Sequence, residues 1–339
     1  MTASRAAIIF TFLYAIPVFS QTVEVRPAPP EYLPAPVDSN SPAFWDSNGR
    51  FNILTSTGTT LLARGRDQFL YDDDLDQVFV DSPNQPLWIE AVWQDEDGTL
   101  LAWYHHEPIN VCPNNGLTTP MIGALISTDG GRTFQDLGIV LSSGEPANCR
   151  AENGYFAGGH GDFSVIRDEM SGDFFFLFGN YSGDRSSQGV AIARMRFEDR
   201  YAPAGAVWKY FEGGWTEPGI GGRMTAVLPA RREWEFADAD SFWGPSIHWN
   251  TYLGKYVVLL NRSCCKPMWP QEGIYASFIT DLGDPASWSA PRKILSDIGF
   301  GPGFYPQILG LGPGETDRAA GQRSRLYIHG VSHWELVFR

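Results

Sequence analysis

Leu87 to Glu107 reads LWIEAVWQDEDGTLLAWYHHE, two apolar runs that meet at Asp97-Gly98. An Asp-Gly pair accepts the positive φ of a tight turn, and alternation of apolar and polar residues on both sides sends successive side chains to opposite faces of a sheet. The stretch is therefore an antiparallel β-hairpin. Immediately after it, GALISTDGGRTFQDLGIVL, Gly123 to Leu141, supplies two more strands around a glycine-rich turn and completes a four-stranded unit.

The pattern recurs along the chain. RFNILTST with TTLLARG precedes the unit, and DFSVIRDEMSGDFFFLFGNYS, GVAIARMRF and AVWKYFEGGW follow it. SIHWNTYLGKYVVLLNRS, GIYASFIT and APRKIL come next, and FYPQILGLG, SRLYIHGVS and WELVFR end the chain. Five units of strand, tight turn and strand predict an all-β fold, a five-bladed β-propeller, with a long β-sandwich carrying a jelly roll as the competing architecture. The composition agrees: 36 Gly, 24 Pro, 12 Trp and 13 Tyr suit short strands joined by turns. The fifth unit has three evident strands and needs a fourth to cover its edge, which a strand within Ala43 to Thr60 is expected to supply.

Arg5 followed by the apolar run Ala6 to Phe19 and by Val18-Phe19-Ser20 reads as a signal peptide over residues 1–20, so a secreted or periplasmic location is expected. An uncleaved N-terminal anchor is the alternative; no longer apolar run follows, and no membrane partner is expected. Residues 21–42 are proline-rich and read as an extended linker or surface strap, leaving 43–339 as a single propeller domain, expected to be a monomer. A net charge of −14 disfavours nucleic acid and anionic membrane as partners and points to a neutral or weakly charged ligand. Of the four cysteines, Cys112 and Cys149 sit in loops flanking one strand pair and are expected to bridge. The adjacent Cys264 and Cys265 either form a vicinal disulfide or remain thiols.

Ser127 to Phe134, STDGGRTF, resembles the Asp-box, Ser-x-Asp-x-Gly-x-Thr-Trp/Phe, of sialidases and related propellers. In those families the box is structural, so Asp129 takes no catalytic role. There is no Arg-Ile-Pro segment and no arginine trio to hold a sialic acid carboxylate. The five units, aromatic inner strands and carboxylates at strand starts look more like the five-bladed propeller glycosidases, the arabinanase, β-xylosidase and fructan hydrolase superfamily. That resemblance implies an oligo- or polysaccharide substrate and three acids converging from different blades.

Two acids stand where such a trio requires them. Glu90 lies in PLWIEAVW, and Asp162 lies in AGGHGDFSVI, a glycine-rich turn leading into an apolar strand. If the first strand of each blade lines the axis, both reach one pocket, where glycosidic hydrolysis needs a proton donor and a second carboxylate. Glu272, opening the strand after the cysteine pair, is the third candidate catalytic acid. Expected sugar contacts are His106, His160, Trp243, Ser246, His248, Trp269, Tyr305 and Gln307, all at or near strand boundaries. The bland alternative for each acid is a carboxylate spent on amides of its own turn.

No tight metal spacing such as His-x-x-x-His on a helix occurs, so no catalytic metal is expected and no cofactor is required; a structural calcium or sodium near the axis is compatible with the acids present. Asp72 to Asp76, DDDLD, reads as a solvated loop. The function these features predict is a glycoside hydrolase using two carboxylates in an axial pocket. A non-catalytic carbohydrate- or protein-binding propeller and a polysaccharide lyase are the alternatives, the lyase drawing on Arg150, Arg194 or Arg262 to neutralise a uronate.

Overall fold

The computed structural model describes residues 21–296 and 303–339; the signal segment read over residues 1–20 lies outside them. The described chain forms five largely antiparallel sheets of four to six strands around a common axis, with only two three-residue 3-10 turns, Phe197–Asp199 and Pro285–Ser287. It is the five-bladed propeller. The innermost strands are Ala43–Trp45 in blade 1, Leu87–Gln94 in blade 2, His160–Arg167 in blade 3, Ser241–Asn250 in blade 4 and Pro306–Gly310 in blade 5.

Each interface between neighbouring blades is a separate apolar cluster. Trp103 and Ile122 of blade 2 meet Phe163, Phe174 and Phe176 of blade 3, for example, and Val257 and Leu259 of blade 4 meet Ile308, Leu326 and Phe338 of blade 5. Large side chains that alternate along each strand are thus shared between two faces of a wedge, which is why aromatic residues dominate the apolar runs.

The closing strand comes from a different place than the strand pattern suggested. Val23–Tyr32 pairs antiparallel with Val331–Phe338, while Ala43–Trp45 and Phe51–Ser56 belong to blade 1. The segment read as a linker therefore begins as an edge strand. Its register jumps between Pro27 and Glu31, so Pro29 and Pro30 sit in the irregularity and not in the ladder. Proline is tolerated at such positions on an edge. Arg325, buried, fastens the bulge by donating to the Pro29 carbonyl at 2.6 Å and to Ser332 Oγ at 3.0 Å.

Residues 33–42 then cross to the axis. Asn40 donates to the carbonyls of Phe163 at 3.0 Å and Pro245 at 3.2 Å, and Ser41 exchanges two bonds with the Gln307 amide, 2.6 and 2.9 Å. Together with Ser164 and Ser246 these groups leave a space of only about 10 Å³ at mid-axis. Ser246 and Gln307, expected to touch sugar, are instead part of this plug.

Asp72 to Asp76 is not a loop but part of the outermost strand of blade 1, Leu70–Gln77, its acids facing solvent at the exposed edge. The STDGGRTF turn closes on itself: Asp129 Oδ1 accepts from Ser127 Oγ and from the amides of Arg132 and Thr133 at 2.9 to 3.0 Å, and Phe134 is buried. Cys112 and Cys149 are bridged, and so are Cys264 and Cys265.

Candidate functional site

On one side of the plug, the axis opens into a cavity of about 180 Å³. The glycine-rich turn before blade 3 brings Asp162 to it. Gly159 takes φ +95°, and a Cβ there would lie 2.5 Å from the Pro120 nitrogen and 2.6 Å from its carbonyl oxygen. The turn thus needs glycine for both conformation and space. Gly159→Ala is expected to destabilise the fold by about 1–3 kcal/mol or more, through overpacking and a strained φ, as read by urea unfolding against wild type. Asp162 itself holds φ +45°, a conformation Asp tolerates better than most residues.

The Asp162 carboxyl is buried and accepts from Tyr181 Oη at 2.6 Å. Burial is the main cause of a pKa raised to about 7, opposed by the nearby His105 cation and aided by the Glu90 charge. Such a group carries a proton at mildly acidic pH and can release it near neutrality.

Beside it stands a relay of opposite charges. His105 Nδ1 is 3.3 Å from Glu90 Oε1 and 3.3 Å from the Asp162 backbone nitrogen, and its Nε2 is 3.4 Å from Glu107 Oε1. Burial alone would push the imidazole down, but Glu107 and Glu90 hold its pKa well above the ordinary value. Glu90 is buried and both its oxygens are engaged, Oε1 with His105 and Oε2 with the Phe163 amide at 2.9 Å. It supports the floor of the site and does not line the cavity.

Sequence reasoning chose His106 from the pair; the structure turns His105 to the axis and His106 away, its Nδ1 2.9 Å from the Pro86 carbonyl. Alternation in a strand separates the two residues but does not say which faces inward. Asp38, within the segment read as strap, is a further cavity acid. It lies exposed at the rim with Tyr305 Oη donating to its Oδ1 at 3.4 Å, and the partial burial of its carboxyl pushes its pKa up.

Trp243, Trp269 and Tyr305 do line the cavity, with Trp88, Tyr155 and Phe304. Trp269 is wedged among Trp234, Trp243 and Tyr155, at ring distances of 4.2, 5.1 and 5.0 Å. Tyr155 arrives on the loop held by the Cys112–Cys149 bridge, and Trp269 on the loop that follows Cys265. Neither loop carries a strand pattern, so Tyr155 and Phe156 left no signal in the sequence.

Three other expected residues lie elsewhere. Glu272 opens the third strand of blade 4, not its first, and pairs with Lys293, Tyr275 and Arg262 away from the axis. His160 is fully buried against Phe178 at 4.9 Å, and burial followed by the Lys209 charge pushes its pKa well below the ordinary value. His248 is a core residue 5.5 Å from Phe338, its pKa lowered to about 3 by burial.

One ligand atom from each of Glu90, His105 and Asp162 lies within 4.8 Å of the others, so these are the residues on which a cation would converge. In the present arrangement Glu90 turns its oxygens to His105 and to a backbone amide, the geometry of an ion-pair network.

No family model matches the sequence, and no curated protein matches it. Solved structures do match in fold. The chain is similar to an α-L-arabinofuranosidase from Lactobacillus brevis at 13% identity, covering 91% of this chain and 92% of that one with a TM-score of 0.54. It is also similar to a mutant of the α-L-arabinofuranosidase arb93a from Fusarium graminearum in complex with an iminosugar inhibitor, at 11% identity, covering 91% of this chain and 79% of that one with a TM-score of 0.50. At such identities the likeness is one of architecture: the chain is a five-bladed β-propeller built on the plan that these two glycosidases also use.

Proposed function

We propose that the chain is an exported glycoside hydrolase that receives one sugar ring in the axial cavity. The observation that carries this reading is Asp162, a buried carboxyl with its pKa near 7 at the base of an aromatic-walled cavity. Asp162 protonates the departing glycosidic oxygen, and Asp38 supplies the second carboxylate, which either activates water or attacks the anomeric carbon. His105, fixed by Glu90 and Glu107, keeps the charge beside Asp162 constant. Trp243 and Trp269 offer apolar surface to the C–H face of the ring. The fold shared with two arabinofuranosidases supports a carbohydrate substrate by analogy. The cavity, smaller than the roughly 300–1,000 Å³ of most ligand pockets, suits a single ring rather than an extended chain.

No arginine or lysine lines the cavity among the described residues. A uronate carboxylate would stay unneutralised there, which disfavours a lyase; Arg262, one of the arginines a lyase would have needed, is committed to Asp240 at 2.9 Å. The test is a panel of plant and microbial polysaccharides, followed by reducing ends and by absorbance of unsaturated products. New reducing ends without that absorbance are expected. Both signals together would mean a lyase, and neither, with retained sugar binding, a binding propeller.

A further inference from the structure

At the opposite end of the axis, below the plug, lies a second and larger cavity of about 410 Å³. It is lined by Trp45, Trp93, Trp249, Thr316, Arg167 and Arg318, among others. Two features distinguish it from a chance hollow. First, its inner wall is built by a chain excursion: after its first strand, blade 5 sends residues 311–320 across to blade 4, where Ala319–Ala320 adds a parallel strand beside Trp249 and Asn250. Trp249 donates its amide to the Arg318 carbonyl at 2.8 Å, which fixes the Arg318 backbone.

Second, the Arg318 side chain has no partner. Its Nε is sealed from solvent without an acceptor, and no carboxylate among the described residues lies within ion-pair distance of its guanidinium. Asp317, next in sequence, attracts it only at longer range and spends an oxygen on the Ala43 amide at 2.9 Å. Other half-buried arginines are matched by an acid, as Arg200 is with Asp95 and Arg262 with Asp240. Arg318 is half-buried and lines both this cavity and the small space within the plug, and a guanidinium so placed with no described acid in ion-pair range is costly unless something anionic completes it.

We infer that this lower mouth is a binding site for a small monocarboxylate carried on a ring. The guanidinium fork suits the two oxygens of a carboxylate, and Trp93 and Trp249, which line the same cavity, give the body of the ligand apolar surroundings. The other charges of the mouth limit the ligand to one negative charge. Asp168 is held by Tyr256 Oη and Ser171 at 2.7 Å each, Glu169 is exposed beside it, and Arg167 leans on Phe197 with its Nε on the Gly172 carbonyl. Asp168 and Glu169 offset Arg167 and Arg318, so the mouth is near neutral overall, and one carboxylate on Arg318 suits it better than a dianion such as phosphate.

The test is titration of the full mature chain with galacturonate and with benzoate, using galactose and benzyl alcohol as neutral counterparts and inorganic phosphate as a dianion, followed by calorimetry and by the indole N–H signals. At least one of the two acids is expected to bind tenfold or more tightly than its neutral counterpart and than phosphate. Arg318→Gln is expected to remove that preference while leaving any polysaccharide hydrolysis unchanged. The two acids separate a sugar ring from an aromatic one. Equal affinity for acid and neutral counterpart, or a preference that survives Arg318→Gln, overturns the proposal. If that variant does not fold, the wild-type comparison of acid with neutral compound decides alone.

Discussion

Asp162→Asn is expected to lower kcat on the cleaved glycan by about 10²- to 10⁴-fold, the range that a positioned proton donor contributes, with much less change in KM. Wild-type kcat should fall as pH rises through about 7, where the carboxyl gives up its proton, and the variant's residual rate should lack that limb. The same group links stability to pH. It ionises near 3.9 in an unfolded chain but near 7 in the folded one, so the folded state holds the proton more tightly. The stabilisation this gives is complete below about pH 4 and is lost as pH rises to 7. Asn bears no charge and can still accept from Tyr181. At pH 8 the variant should therefore melt no lower than wild type, and the comparison should shift toward wild type at pH 4. Retention of more than about half of kcat by a folded variant would remove Asp162 from the chemistry.

Removal of residues 21–32 is expected to have the largest effect on stability. The strand Val23–Tyr32 contributes a ladder to Val331–Phe338, the Thr22–Arg339 backbone pair at 3.0 Å in both directions, the Glu24–Arg339 ion pair and the Pro29 acceptor for buried Arg325. At a net 0.5–1.5 kcal/mol for each hydrogen bond, several such bonds are a large part of the roughly 5–15 kcal/mol that holds a typical domain together. The truncation also bares the edge of Val331–Phe338, an invitation to pairing between molecules. The truncated chain should unfold at lower urea and form oligomers on size exclusion, and a synthetic peptide of residues 21–32 should partly reverse both. A melting temperature within about 2 °C of the intact chain, and no oligomers, would show that the closing strand is dispensable.

That strand also marks the limit of what the sequence made visible. Blade strands announce themselves because a wedge between two apolar interfaces demands alternation, and Asp97-Gly98 or Gly130-Gly131 punctuates it. A closing strand with prolines in its bulge breaks the same rule that identifies strands, although VEVR ahead of Pro27 was a usable signal. Within the site, Asp162, Trp243 and Tyr305 were legible because each stands at the start of an innermost strand. Asp38 was not, since its place depends on how residues 33–42 cross to the axis. His105 and His106 differed only in parity, which tertiary pairing sets. Glu272 shows the converse error: a strand start is informative only when the strand is the innermost of its blade, and blade order is not written in a local window.

The mid-axis plug of Asn40, Ser41 and Gln307 has a kinetic corollary. Among the described residues the axis is not an open tunnel: between the two mouths lies a space of only about 10 Å³, bordered by the hydrogen-bonded Asn40 and Gln307. Whatever enters beside Asp162 must leave by the same opening before a successor can enter, so departure of the first molecule becomes a compulsory step in each turnover. Occupants of the two mouths, for their part, never collide; any influence of one on the other must travel through the plug's own hydrogen bonds.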